Sequence, residues 1–335
     1  MNIFFIALFA TLAVLAQFKP ITRRYSFALF VITAALLALS YPSYFLVWGT
    51  FELKRLIVPL LMIIMFGMGS TISAKDFLGV IKMPKAVGIG LLCQFTIMPI
   101  IGFTLASFSG LPPAIAAGII LVGCSPSGLA SNVMSYISGA NVALSLTLTV
   151  VATLLSPLIT PLLMKIFADQ LIPIDFLSML WSIVKMVIIP IVAGVIFNKL
   201  IFNKYPIIAK IMPLVSMIGI AVIIVIITAN GRENLITIGV TLIAIVIIHN
   251  VLGYLFGYYL SILFGMDKKS ARTIAFEVGL QNAGLASGIA LEMGRVATMG
   301  LAPAVFGPLM NISGSTLAGY WHKKNDKSDT AEANE

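Results

Sequence analysis

The chain is short of charge. Only 10% of its 335 residues are Asp, Glu, Lys or Arg, whereas a soluble domain of this length clothes its surface with roughly a quarter charged residues. That scarcity, together with 60% hydrophobic residues and a mean hydropathy of +1.08, identifies a polytopic membrane protein. Cysteine and histidine are equally scarce, at two each. Cys93 and Cys124 lie in apolar segments without paired spacing and read as free buried thiols rather than disulfide or metal ligands. His249, beside Asn250, reads as a hydrogen-bonded interior residue. Neither it nor His322 has a ligand partner at useful spacing, so a zinc site lacks its donor set. The alternating ten-residue pattern of a membrane barrel is absent, so the spans are helices. No soluble domain, low-complexity linker or soluble-cofactor motif occurs.

What is present is a succession of apolar runs. A span needs about 20 residues to cross roughly 30 Å of hydrocarbon. Such runs place spans at 3 to 18, 26 to 46, 56 to 72, 86 to 106, 114 to 138, 141 to 166, 176 to 198, 211 to 229, 235 to 263, 270 to 293 and 300 to 321. The first is a short, retained extra helix: it has no basic segment before it and no small-residue cleavage site, and Lys19, Arg23 and Arg24 follow it. Basic residues collect on the cytoplasmic side. With the 26 to 46 span starting inside, the inner loops hold Lys19, Arg23, Arg24, Lys75, Lys82, Lys85, Lys199, Lys204, Lys210, Lys268, Lys269, Arg272, Lys323, Lys324 and Lys327. Lys54, Arg55, Lys165, Arg232 and Arg295 fall opposite. The amino terminus is expected outside, and the polar tail from His322 cytoplasmic and disordered. The net charge of +9 follows from this topology and from anionic lipid, and makes no case for nucleic acid.

Two of the spans are poor continuous helix. Residues 123 to 132 read GCSPSGLASN and residues 276 to 287 read FEVGLQNAGLAS; proline removes a helix donor and glycine loosens the backbone. Each interruption falls in the fourth helix of a five-helix set, one set starting at 26 and the other at 176. Five is odd, so the second set enters from the opposite face as an inverted repeat: 26–170 and 171–322, with 1–25 as the extra helix and basic loop and 323–335 as the tail. Paired broken helices in inverted halves point to a transporter's mid-membrane site. Small residues alone would be explained by tight packing, but Glu277 would not. It is the one acidic residue well inside a span, where a carboxylate costs several kcal/mol unless paired or hydrated. Gln281 lies one turn further on the same face. One carboxylate with amide, hydroxyl and carbonyl oxygens suits a hard cation such as sodium.

GCSPSGLASNVMSYISGANVALS (123 to 145), QFTIMP (94 to 99) and FEVGLQNAGLAS together resemble the bile acid:sodium symporter family over about residues 26 to 321. The resemblance implies ten helices in two inverted five-helix repeats, divided into core and panel domains, with the 3 to 18 helix as an addition. It implies two sodium sites. One would use Ser131, Asn132, Ser145, Thr149 and Glu277; the other Gln94, Glu277, Gln281 and the carbonyls of Val278 and Leu280. Substrate would meet Leu129, Ala130, Asn282, Met310 and Asn311. Two departures count against a bile acid as such: Leu129 stands where family members often carry Thr, and Met310 where they carry His.

The expected activity is sodium-coupled import of an organic monoanion, such as pantoate, a 2-oxo acid or a sterol-like anion, across a bacterial inner membrane. No protein partner beyond membrane lipid is implied. Lys185 is expected at a helix surface rather than at substrate. Two other readings stay open at this point: a proton-coupled anion transporter using Glu277, and an intramembrane enzyme with Ser127 or Ser131 as nucleophile and His249 as base.

Overall fold

The computed structural model describes residues 3–72, 79–200 and 206–332, without side chains for 20–21, 206–210 and 324–332. Lys75 and Lys204, two of the basic residues assigned to the inner side, lie outside the described residues, as do the last three residues of the tail. The chain is built almost wholly from helices. They are α1 (Ile3–Phe18), α2 (Pro20–Ser40), α3 (Ile57–Thr71), α4 (Pro84–Phe108), α5 (Pro113–Cys124), α6 (Ala130–Ile137) and α7 (Val142–Ala168). Then follow α8 (Phe176–Leu200), α9 (Pro206–Asn230), α10 (Arg232–Leu263), α11 (Lys268–Gly279), α12 (Ala283–Glu292) and α13 (Leu301–Glu332). Seven of these helices are long and apolar enough to cross a membrane on their own. The rest are the short α1, the two interrupted pairs α5/α6 and α11/α12, and α13, which carries Asn311, Ser313, Ser315 and Thr316 in its apolar run.

Helix starts follow from proline, whose missing N–H costs nothing at a first turn: Pro20, Pro84 and Pro113 open their helices. Two expectations are corrected. The second span runs from Pro20 and stops at Ser40; residues 42 to 52 form a 3-10 turn and a two-stranded hairpin, β1 (Val47–Trp48) with β2 (Phe51–Glu52), turning at Gly49 with φ +62°. Hydropathy groups these aromatic residues with the span, but Pro42 and Gly49 turn the chain instead. The tail does not leave the helix: α13 continues to Glu332, as an extension of the long apolar helix before it, although Asn325, Asp326, Ser328, Asp329 and Thr330 have low helix propensity.

The helices pack in two neighbourhoods. In one, α3 lies against α8 and α9, and α9 against α2, with α1 packed on α2; in the other, α4, α7, α10 and α13 surround the two interrupted pairs. Leucine and isoleucine side chains on the outside, Leu155, Leu158, Leu162 and Ile166 of α7 among them, are exposed, as a lipid-facing surface requires. Close approach rests on small residues. A Cβ at Gly123 would lie 2.4 Å from the Met98 carbonyl oxygen, whereas one at Gly88 would meet nothing within 4 Å. Gly123→Ala is therefore expected to cost about 1–3 kcal/mol and lower the thermal midpoint in detergent, while Gly88→Ala leaves it unchanged or raises it. Equal effects from the two would show that α5 does not depend on this contact.

Candidate cation site at a helix crossing

Both interrupted pairs break for local reasons. Ser125 precedes Pro126, a position that disfavours helix, and its backbone is extended at φ −78°, ψ 154°. In the second pair, Leu280 (φ −105°, ψ 87°) and Asn282 (φ −80°, ψ 77°) leave the helical region, and the Asn282 side chain accepts the Leu285 N–H at 3.0 Å to start α12. The freed backbone groups then satisfy one another. Gly128 N–H donates to the Leu280 carbonyl at 2.7 Å, Asn282 N–H to the Pro126 carbonyl at 2.8 Å, and Ser127 pairs antiparallel with Gln281. At Gly128 a Cβ would sit 2.9 Å from the Gln281 carbonyl oxygen, so the crossing requires glycine there. Because both breaks meet here, α6 and α12 start at the crossing, with the positive ends of their dipoles turned to it.

Glu277 stands in the last turns of α11, beside the crossing, and is 1% exposed. Ser127 Oγ donates to its Oε2 at 2.6 Å and Ser145 Oγ to its Oε1 at 2.6 Å; Thr149 Oγ1 lies 3.2 and 3.0 Å from the two oxygens. Ser145 and Thr149, one turn apart on α7, also reach Asn132 Oδ1 at 2.9 and 3.2 Å, and Thr149 lies 3.3 Å from Ser131 Oγ. Ser131, Asn132, Ser145, Thr149 and Glu277 thus form one cluster, as the resemblance implies. Among the described residues no ion pair involves Glu277, so the carboxylate is met by hydroxyls alone.

A second cluster forms around Gln281. Gln94 Nε2 donates to Gln281 Oε1 at 3.0 Å and to the Ser125 carbonyl at 3.1 Å, and the Gln281 amide donates to the Val278 carbonyl. Gln94 Oε1 is buried without a partner, an orphaned acceptor of the kind a hard cation takes up. Glu277 makes no hydrogen bond to Gln94 or Gln281 among the described residues. Ser127 stands between the clusters instead: its side chain donates to Glu277, and its backbone lies opposite Gln281, held there by the flanking Gly128–Leu280 and Asn282–Pro126 hydrogen bonds. The Leu280 carbonyl already accepts the Gly128 N–H, which leaves it one lone pair.

Of the residues expected at substrate, Leu129, Ala130 and Asn282 flank the crossing, and Leu129 is exposed. Asn311 Nδ2 donates to Gly307 O at 2.8 Å within α13, and Gly307 abuts Ala283. Met310 is buried, its carbonyl accepting from Tyr254. A cavity of about 210 Å³ lies away from all of these, at the far end of α12, lined by Asp175, Ser178, Ser182, Glu292 and Arg295 among others. His249 is buried and bonded to the Met98 carbonyl, Lys185 is exposed, and both cysteines are free and buried, as expected. Sequence reasoning weighed Ser127 only as a nucleophile and passed over Tyr254 and Ser313; the position of Ser127 between Pro126 and Gly128 was the available signal.

The Sodium Bile acid symporter family profile matches residues 58–238. The chain belongs to this family. The matched stretch includes Gln94, Ser131, Asn132, Ser145 and Thr149 but ends before Glu277, and pairwise similarity extends further. An uncharacterized sodium-dependent transporter of Bacillus subtilis, YocS, is 44% identical over 306 residues, covering 90% of this chain and 92% of its own. A probable chloroplastic sodium/metabolite cotransporter of Arabidopsis thaliana, BASS1, is 34% identical over 90% of this chain and 74% of its own. The human ileal sodium/bile acid cotransporter is 32% identical over 71% of this chain and 69% of its own. Family and relatives are transporters by name, not enzymes.

If the three hydroxyls act through Glu277, their loss is coupled to it. Ser127→Ala or Ser145→Ala is expected to lower stability by about 1–3 kcal/mol, leaving the buried carboxylate a donor short. In a Glu277→Ala background the same changes should cost far less, a coupling that a double-mutant cycle of thermal or denaturant unfolding reads directly. Additive costs would place the serines outside the carboxylate's energetics.

Proposed function

We propose that the chain is a sodium-coupled secondary active symporter that imports a small organic anion by alternating access. The observation that carries this reading is the buried Glu277 carboxylate, ringed by Ser127, Ser145 and Thr149 hydroxyls at the crossing of two interrupted helix pairs. A cell has little use for such an arrangement in static packing, since an unpaired mid-membrane charge is destabilising and a bound cation offsets it. Sodium is the cation that an all-oxygen donor set of carboxylate, hydroxyls, amides and carbonyls favours, and relatives of the chain are named as sodium-dependent.

In this reading two sodium ions bind, one among Ser131, Asn132, Ser145, Thr149 and Glu277, the other among Gln94, Gln281, the Val278 and Leu280 carbonyls and the same Glu277 carboxylate. Two cations against one carboxylate leave a surplus positive charge at low dielectric, and an organic monoanion cancels it. Neither interrupted segment carries Arg or Lys in 123–132 or 276–287, so the anion is held by the starts of α6 and α12 and by amides such as those of Asn282 and Asn311. Leu129 and Met310 leave the pocket poorer in hydrogen bonds than a bile-acid pocket. Pantoate or a 2-oxo acid fits this reading better than a sterol-like anion.

The order of helices supports the inverted-repeat reading: α2, α3, α4, α5/α6, α7 and then α8, α9, α10, α11/α12, α13, each set with its break in fourth place. In this reading the α4, α7, α10 and α13 neighbourhood is the core and the α2, α3, α8 and α9 neighbourhood the panel, and their relative movement exposes the crossing to each side in turn. Sodium favours the conformation that accepts the anion, because its affinity differs between the two. The protein would lie in a bacterial inner membrane with its carboxyl terminus cytoplasmic and its amino terminus outside, following the distribution of Lys and Arg.

The test is binding of pantoate, pyruvate and cholate to purified protein in sodium and in an equal concentration of potassium. Binding of one of the smaller anions in sodium, at least tenfold weaker in potassium and insensitive to a pH change of one unit, is the expected result. Affinity indifferent to the cation but rising as pH falls would replace sodium by protons. Preference for cholate would overturn the assignment of substrate size.

A further inference from the structure

Helix α10 contacts both halves of the second cation cluster with one face. His249, Asn250, Gly253, Tyr254 and Gly257 lie on successive turns of this helix, and all are buried. His249 Nε2 lies 3.0 Å from the Met98 carbonyl oxygen; a carbonyl only accepts, so Nε2 carries the proton. Met98 is one turn from Gln94 on α4, so this bond fixes the turn that presents the Gln94 amide. The neighbouring Asn250 donates through Nδ2 to the Gly279 carbonyl at 2.7 Å. Gly279 is the last residue of α11 and sits between Val278 and Leu280, whose carbonyls belong to the same cluster.

The far side of Asn250 is tied as well. Its Oδ1 accepts from Ser313 Oγ, and Tyr254 OH lies 3.2 Å from Ser313 Oγ and 3.3 Å from the Met310 carbonyl oxygen. The helix can come this near only because it is bare where it touches: a Cβ at Gly253 would stand 3.2 Å from Gly279 Cα, and one at Gly257 would stand 3.1 Å from Ala275 Cα. Tyr254 in turn packs its ring where a Cβ of Gly279 would be, 2.2 Å from its Cδ1. A purely structural seam would be served by apolar side chains, whereas burying an amide and an imidazole is worthwhile when each has a specific backbone oxygen to hold.

We infer that His249 and Asn250 are positioning residues for the second cation cluster, His249 setting Gln94 and Asn250 setting the carbonyls on either side of Gly279, while Ser313 and Tyr254 carry the same linkage to α13. The inference rests on the sodium reading above. Neither residue touches the ion, so each acts through the group it holds, and their loss weakens sodium binding without removing a ligand.

The experiment is sodium-dependent pantoate uptake into proteoliposomes, with the sodium concentration for half-maximal rate and the Hill coefficient measured for wild type, Asn250→Ala, Asn250→Asp, His249→Ala and His249→Gln. Should pantoate not be taken up, sodium-induced thermal stabilisation of the same proteins replaces it, with potassium as reference. Asn250→Ala and His249→Ala should raise the half-maximal sodium concentration at least fivefold and bring the Hill coefficient toward one, with the maximal rate recovered at high sodium. His249→Gln retains an N–H for the Met98 carbonyl and should restore most of the sodium affinity, whereas Asn250→Asp loses the donor to Gly279 and should not. Variants that lose folded protein or maximal rate while the half-maximal sodium concentration stays at the wild-type value would show a structural role only and overturn the inference. A wild-type protein equally active and equally stabilised in potassium would instead overturn the sodium reading on which it stands.

Discussion

The architecture turns on one constraint: a carboxylate buried among the helices of a membrane protein has to be met by something. Glu277 is met by three hydroxyls from two different parts of the chain, Ser127 in the first break and Ser145 and Thr149 on the helix that follows it. Hydroxyls satisfy the oxygens without cancelling the charge. Each of them also has a lone pair to offer a cation, so under the proposed function the same groups that tolerate the bare carboxylate would form the donor shell of a bound ion.

Bringing those groups together requires irregular backbone at membrane depth, which is sustainable only where its own N–H and C=O groups are paired inside the protein. The two breaks achieve this mutually. Gly128 and Asn282 each donate across the crossing, so neither interruption can be satisfied alone and both half-helices α6 and α12 begin at one place. That dependence joins the cation donors to the segment that carries Leu129, Ala130 and Asn282. Under the proposed function, coupling of an ion to an anionic substrate would need no long pathway, since the proposed donors for one and the dipole ends for the other are adjacent residues of the same two segments.

Much of this was legible in the sequence, and for identifiable reasons. Glu277 stood out because charge is so rare in the spans, Ser145 and Thr149 because their four-residue spacing shares a helix face, and both interruptions because Pro126 and the glycines disfavour helix. Other features were not legible. Residues 42 to 52 have the hydropathy of a span end, and composition does not distinguish an aromatic hairpin from helix. Ser127 stood out in the sequence only as a conceivable nucleophile, and nothing there tied it to Glu277, which lies 150 positions away and which the fold brings to 2.6 Å. The links from Asn250 to Gly279 and Ser313 span 29 and 63 positions, and no local periodicity encodes partners that far apart. The charged tail looked unstructured because its sequence has no apolar face to bury, yet α13 carries on through it.

The central claim is that Glu277 and Gln281 anchor two cation clusters joined through Ser127. Equilibrium binding of radioactive sodium to purified protein, counted per protomer, addresses it most directly. Two ions are expected on the wild type, one on Gln94→Ala, which loses the orphaned acceptor of the second cluster, and none of measurable affinity on Glu277→Ala. A wild-type count unchanged in both variants would contradict it, and would leave the crossing of the two broken helices as a feature of packing alone.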